Sequence, residues 1–112
     1  MRDYKLFLND ILGAIQAIET FVAGMNFEEF EADDKTTSAV IKKLEIIGEA
    51  AKMIPDAIRS DFPSVPWSDL AGMRDRLVHS YFGTDVVLVW DAIKYELPKL
   101  RKDISAVIIT LQ

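Results

Sequence analysis

Residues 72–82 read GMRDRLVHSYF, and WSDLA precedes them at 67–71. On a helical wheel of about 100° per residue, Leu70, Leu77 and Tyr81 fall within roughly 60° of one side of Arg74. Trp67, Ala71, Val78 and Phe82 fall within roughly 80° of the other side. One apolar stripe therefore runs from about Trp67 to Phe82 and predicts a helix there. The same period extends outward in both directions. Leu8, Ile11, Ile15, Ile18, Val22 and Met25 repeat at steps of three and four, as do Val40, Leu44, Ile47, Ala51 and Ile54. Val86, Val89, Ile93, Leu97, Leu100, Ile104, Val107 and Leu111 form a last stripe. No strand alternation competes, so the expectation is an all-α protein, an up-down four-helix bundle with a short extra helix.

The punctuation between stripes sets expected boundaries. The acidic stretch Glu28 to Asp34 is expected to include a loop. Pro55 starts a turn, Pro63 and Pro66 bracket another, and Asp56 to Asp61 has room for one short helix. Gly83 is placed to cap the third helix, and Thr84 to act as N-cap of the fourth. Pro98, inside the last stripe, lacks a donor and clashes with the preceding turn, which predicts a kink.

Composition narrows the functional classes. The chain has 112 residues, half of them hydrophobic, which suits one domain over 1–112 with its own core. Cysteine is absent, so disulfides, cysteine zinc sites and thiol nucleophiles are excluded. The charged N-terminus MRDYKLFLND does not read as a signal peptide, and no run reaches the ~20 apolar residues of a membrane span. The reading is a cytoplasmic protein. The net charge of −5 excludes a generally basic surface, so RNA would need a local cationic cluster or a cleft shared between subunits. Lys94, Lys99, Arg101 and Lys102 form such a cluster, or an ordinary wet helix face.

The anomaly lies in the third stripe. Arg74 sits in its middle, where an unpaired charge costs several kcal/mol. It must snorkel, pair with a buried carboxylate such as Glu45 or Glu49, or serve chemistry. His79, the one histidine, follows Asp75 by four residues, so a carboxylate can fix its tautomer and favour the charged ring. Gly72 lies within about 20° of His79 on the wheel, where a helix-weakening residue suggests close approach of another backbone. Arg76, three residues from His79, is either a second phosphate contact or a solvated charge. Tyr81 is either core packing with a polar tip or part of the same constellation.

Arg74, four residues, His79, one residue and Tyr81 resemble the Arg-x4-His-x-Tyr signature of the HepT branch of the HEPN superfamily. LEIIGEAAKMIPDAI (44–58), the Pro66–Trp67 pair and VWDAIKYELPKL (89–100) resemble that branch too, in order and over essentially the whole chain. The resemblance implies a homodimeric, metal-independent endoribonuclease toxin that needs no cofactor. Its implied partner is a minimal nucleotidyltransferase antitoxin of the MntA type, which silences such toxins by adding AMP to the motif tyrosine, here Tyr81. The family commonly has Asn or Asp after the motif arginine, and Asp75 fits.

RNA cleavage without a metal needs a base for the 2′-hydroxyl, an acid for the leaving oxygen and cations for the phosphorane. One chain offers one histidine, whereas a two-fold dimer offers two together with two arginines. The expected roles are therefore His79 as base or acid, Arg74 on the phosphate, Asp75 orienting His79, and Arg76 in support. A di-iron bundle is disfavoured because Glu45 and Glu49 lack the Glu-x-x-His pairs that it requires. The alternative is a HEPN binding module that partners a nucleotidyltransferase without cutting RNA.

Overall fold

The computed structural model describes residues 3–73, 75–76 and 85–112, and every regular element among them is helical. The first helix, α1, spans Tyr4–Val22. Asp3 caps it by accepting from the Lys5 amide at 3.0 Å, which satisfies one of the orphan donors of a helix start. Leu8, Ile11, Ala14, Ile15, Ile18 and Val22 form its buried face. The chain leaves α1 through Gly24, whose φ of 78° is one that glycine adopts without strain. Met25, assigned to the first stripe, lies half-buried just beyond the helix.

The acidic stretch is mostly helix, and the break expected in it narrows to the single residue Asp33. Phe27–Ala32 forms α2, opened by a capping box: Asn26 Oδ1 accepts from the Glu29 amide at 2.8 Å, and Glu29 Oε1 accepts from the Asn26 amide at 3.0 Å. Glu28 and Glu29 lie in the first turn, where the helix dipole favours negative charge. Phe30 is fully buried and stacks at a tilt on Trp90, 5.0 Å between ring centroids, which ties the short helix to the rest of the chain.

Asp33 ends α2 and also begins α3, Asp34–Lys52. Its carboxylate accepts from the Thr36 amide at 3.1 Å and the Thr36 hydroxyl at 2.9 Å. These hydrogen bonds, the Thr36 amide first, hold the Asp33 carboxyl below the ordinary aspartate range. Thr37 is buried with its hydroxyl satisfied, donating to Phe30 O at 2.9 Å and Asp33 O at 3.1 Å. Val40, Leu44, Ile47 and Ala51 are buried along α3, as the sequence period requires, and Ile54 is buried beyond its end. Burying each Leu or Ile side chain contributes about 1.5–3 kcal/mol.

The short helix α4, Asp56–Asp61, has the expected boundaries. Its Arg59 reaches back to the end of α3: Nη2 donates to Ala51 O at 2.7 Å and Nε to Ile54 O at 3.0 Å. These carbonyls belong to the last turn and its exit, where helical partners run out. Trp67 opens α5, Trp67–Ala71, and its indole N–H donates to Phe62 O at 3.0 Å. A single unbroken helix was expected through this point. Instead regular α geometry stops at Ala71 and Gly72 makes a turn. Met73, Asp75 and Arg76 are again helical, and the Arg76 amide donates to Gly72 O at 3.2 Å. Glycine is about 1 kcal/mol worse than alanine in a helix interior, so the winding loosens there first.

The last stripe carries two α-helices separated by a π turn. These are α6, Val86–Asp91, the π segment Ala92–Glu96, and α7, Leu97–Thr110. Asp85, not Thr84, takes the N-cap role, accepting from the Leu88 amide at 3.1 Å. An aspartate one position later satisfies the same donors and adds negative charge to the helix start. Gly83 and Thr84 themselves lie outside the described residues.

The disruption expected at Pro98 takes the form of this π turn. In α geometry Pro98 could not donate to Lys94 O, and its ring would crowd that carbonyl. Instead the Leu97 amide donates five residues back, to Ala92 O, and Pro98 falls in the first turn of α7, where no donor is missed. The π turn also corrects the facing. Val89, Ile93 and Leu97 are spaced by four, which drifts about 40° per step on an α-helix. The wider π turn cancels that drift, and all three remain buried with Leu100, Ile104 and Val107. α1 packs against both α3 and α7, and α3 packs against α5.

Candidate active site

The segment that opens the Arg-x4-His-x-Tyr signature is anchored from below. Trp67, Leu70 and Met73 are buried, whereas Asp69, Gly72, Asp75 and Arg76 are exposed. Gly72 and Asp75 thus share an outward side, as the wheel predicts. A Cβ added at Gly72 would meet only the carbonyls of its own turn, Ser68 O at 3.5 Å and Asp69 O at 3.8 Å. No other backbone among the described residues approaches it. Arg74, His79 and Tyr81 lie outside the described residues, and so do Leu77, Val78 and Phe82. Of the proposed constellation, Asp75 and Arg76 are described. Arg76 forms an ion pair across to the π turn, Nη2 to Glu96 Oε1 at 3.7 Å.

The carboxylates considered as buried partners for Arg74 are not buried. Glu45 pairs with Lys42 at 3.9 Å and Glu49 with Lys52 at 3.5 Å, with side chains 30% and 59% exposed. Both are one helical turn from a lysine, so local i, i+3 pairing at the surface already accounts for them. The cations considered as an RNA-facing cluster are also largely engaged. Lys99 pairs with Asp103 at 2.7 Å, and Arg101 with Glu19 of α1 at 3.0 Å. Lys94 lies over the Trp90 ring, 4.6 Å from its centroid. Lys102 is exposed. Among the described residues no group of three or more His, Cys, Asp or Glu side chains is arranged to hold a metal. No described helix is long and apolar enough to cross a membrane.

Sequence reasoning passed over one part of this region. α5, Met73 and Arg76 on one side and the π turn with the start of α7 on the other enclose a cleft of about 180 Å³. Tyr95 stands at its edge, 79% exposed. The unusual spacing of four, four and three at 89, 93, 97 and 100, together with Pro98, was the available signal for the π turn that builds this wall.

A family model described as ribonuclease HepT-like matches residues 11–107. The chain belongs to the HepT-like ribonuclease family. A presumed RNase of Methanocaldococcus jannaschii is 46% identical over 111 residues, covering 99% of this chain and 96% of its own length. A presumed ribonuclease HepT of Thermococcus cleftensis is 47% identical over 100 residues, 89% of this chain and 91% of its own. A presumed RNase of Caldanaerobacter subterraneus subsp. tengcongensis is 38% identical over 108 residues, 96% of each chain. No solved structure gives a significant match. The HepT-like match spans α1 to nearly the end of α7, so it takes in every described helix in whole or in part.

Proposed function

We propose that this HepT-like chain is a metal-independent endoribonuclease that works as a homodimer, with one composite site built from two copies of Arg74 and His79. The observation that carries the reading is the intact Arg74, His79 and Tyr81 spacing inside a family match covering residues 11–107. We take residues 1–112 as one HEPN-like domain, an up-down four-helix bundle. The open backbone at Gly72 suits close approach of a second copy at this helix.

In the proposed reaction one His79 removes the 2′-hydroxyl proton. The resulting oxyanion attacks the adjacent phosphorus, and the bond from phosphorus to the 5′ oxygen breaks. The leaving oxygen takes a proton from His79 of the partner subunit, giving a 2′,3′-cyclic phosphate and a 5′-hydroxyl. Histidine as a residue type titrates near neutrality, so a pair of imidazoles can supply one neutral and one protonated ring. Arg74 holds the phosphate through its planar fork, Asp75 orients His79, and Arg76 adds positive charge beside the site.

The toxin role belongs to the same proposal. A neighbouring nucleotidyltransferase of the MntA type would direct Tyr81 Oη onto the α-phosphorus of ATP, releasing pyrophosphate and leaving the phenolic proton to solvent. The attached AMP would place a phosphodiester within reach of Arg74 and block the phosphate pocket. Mass spectrometry of the chain co-expressed with that partner should show AMP on Tyr81, and a silenced complex with unmodified Tyr81 would remove this part.

The test of the nuclease is cleavage of total RNA and tRNA by the purified chain, with chelator present and with His79→Ala in parallel. Cyclic-phosphate ends that disappear in the variant support the reading. A second reading, a non-cutting HEPN module that partners a nucleotidyltransferase, is favoured by the net charge of −5 and by the internal pairing of the α7 cations. Equal RNA breakdown by parent and His79→Ala, or none by either, selects it.

A further inference from the structure

The cleft between α5 and the π turn has a floor of Leu70, Met73, Leu97 and Leu100. At about 180 Å³ it is far below the ~300 Å³ at which pockets for whole small molecules begin. It is close to the ~150 Å³ cavity known to take a single aromatic ring. One flat ring system fits that space, with the rest of its molecule outside. Three carboxylates stand around the opening, Asp69, Glu96 and Asp103, against two cations, Arg76 and Lys99, already paired with Glu96 and Asp103. A phosphate would meet a net negative rim. A neutral ring with N–H groups on its edge would meet acceptors, and the exposed Tyr95 offers it a stacking face.

We propose that this cleft receives one nucleobase of the substrate RNA, splayed out of its strand, and favours guanine. Among the bases, guanine presents an N1–H and a 2-amino group side by side, a pair that one carboxylate accepts together. Uracil offers a single N–H between two carbonyls, and those carbonyls would face the same carboxylates. Met73 and Arg76 line the cleft and bracket Arg74 in the chain, so a base held here lies beside the start of the signature in sequence. The π turn is what presents Tyr95 and Glu96 to the cleft, and π turns recur at functional sites. The proposal rests on the nuclease reading for its biological ligand, but the cleft's preference is testable without any cutting.

The experiment titrates the full-length His79→Ala chain with GMP, AMP, CMP and UMP, following amide chemical shifts. GMP is expected to shift Leu70, Tyr95, Lys99 and Leu100 and to bind at least tenfold tighter than UMP. Tyr95→Ala is expected to weaken GMP about tenfold, the scale of one lost base stack, while Tyr95→Phe retains it. Tyr95 is exposed, so neither variant threatens the fold. Equal binding of all four nucleotides, shifts elsewhere, or a Tyr95→Ala variant that binds as the parent does overturns the proposal. So do cleft shifts that follow protein concentration instead of nucleotide, which would make a second copy the occupant. If the parent cuts no RNA yet GMP occupies the cleft, the nuclease reading fails and the base site stands. If the parent cuts and the cleft ignores GMP, the reverse holds.

Discussion

Replacing Arg59 by alanine removes the side chain that donates to two carbonyls at the α3 exit, Ala51 O at 2.7 Å and Ile54 O at 3.0 Å. A hydrogen bond from a charged donor contributes about 1.5–3 kcal/mol when the partner would otherwise go unsatisfied. Arg59 is only partly buried, so water can reach these carbonyls, and Ala51 O also accepts from the Ile54 amide at 3.3 Å, which together take back much of that loss. The guanidinium also complements the negative end of α3, which is worth about 0.3–1 kcal/mol. The pair together should therefore cost about 2 kcal/mol when lost. For a chain of 112 residues that corresponds to a fall in Tm of roughly 8 °C. Arg59→Lys should lie between the two, because an ammonium keeps the charge but cannot bond two carbonyls as a fork. Urea unfolding followed by circular dichroism checks this, at one fixed protein concentration, since self-association adds a concentration-dependent contribution. If Arg59→Ala unfolds within ~0.5 kcal/mol of the parent, the size of an ordinary surface change, the cap is not holding the α3–α4 corner.

Three further outcomes are expected. His79→Ala should lower RNA cleavage by about four orders of magnitude, because both copies lose their proton-transfer group at once, while the helical spectrum stays as in the parent and chelators change neither protein's rate. Leu44→Ala, at a fully buried site in α3, should cost about 2–5 kcal/mol in the same unfolding assay, and a loss below ~1 kcal/mol would mean that the site collapses around the gap. Asp33 has a depressed carboxyl pKa in the folded state, so its contribution is present above the unfolded value of about 3.9 and is lost as pH falls through the lower folded value. Parent and Asp33→Asn should therefore converge in Tm as the pH drops below about 4, and a gap that stays constant down to pH 2 contradicts the capping account.

The sequence carried the long helices well, because their buried faces are dense enough to impose a period. α4 was also legible, since Pro55 and the following prolines leave room for one short helix between them. α2 was missed for the opposite reason. It is six residues long with two buried or half-buried phenylalanines, too few to show a period, although the Asn26–Glu29 capping box was there to be read. The choice between Thr84 and Asp85 as a cap could not be made from residue type, because both are good caps. Arg59 capping another helix is a contact between elements, invisible to any local pattern. At the candidate site, the signature itself is a sequence observation, and of its flanking residues Asp75 and Arg76 are exposed. The surface pairing of Glu45 and Glu49 with neighbouring lysines was equally available from spacing, and it argued against their reaching into the interior.

The segment from Ala92 to Glu96 holds more backbone than the shortest helical path between its neighbours needs. Such slack makes this stretch the natural place for length variation. Deleting a single residue here could be absorbed by tightening the coil, leaving the oily seams on either side pointed inward, whereas the same deletion in the middle of α3 would rotate half a helix out of register. The tightened form would draw Tyr95 and its carboxylate neighbour away from the opening they now frame. Relatives lacking that extra residue would then keep the scaffold and differ in what they admit at its edge.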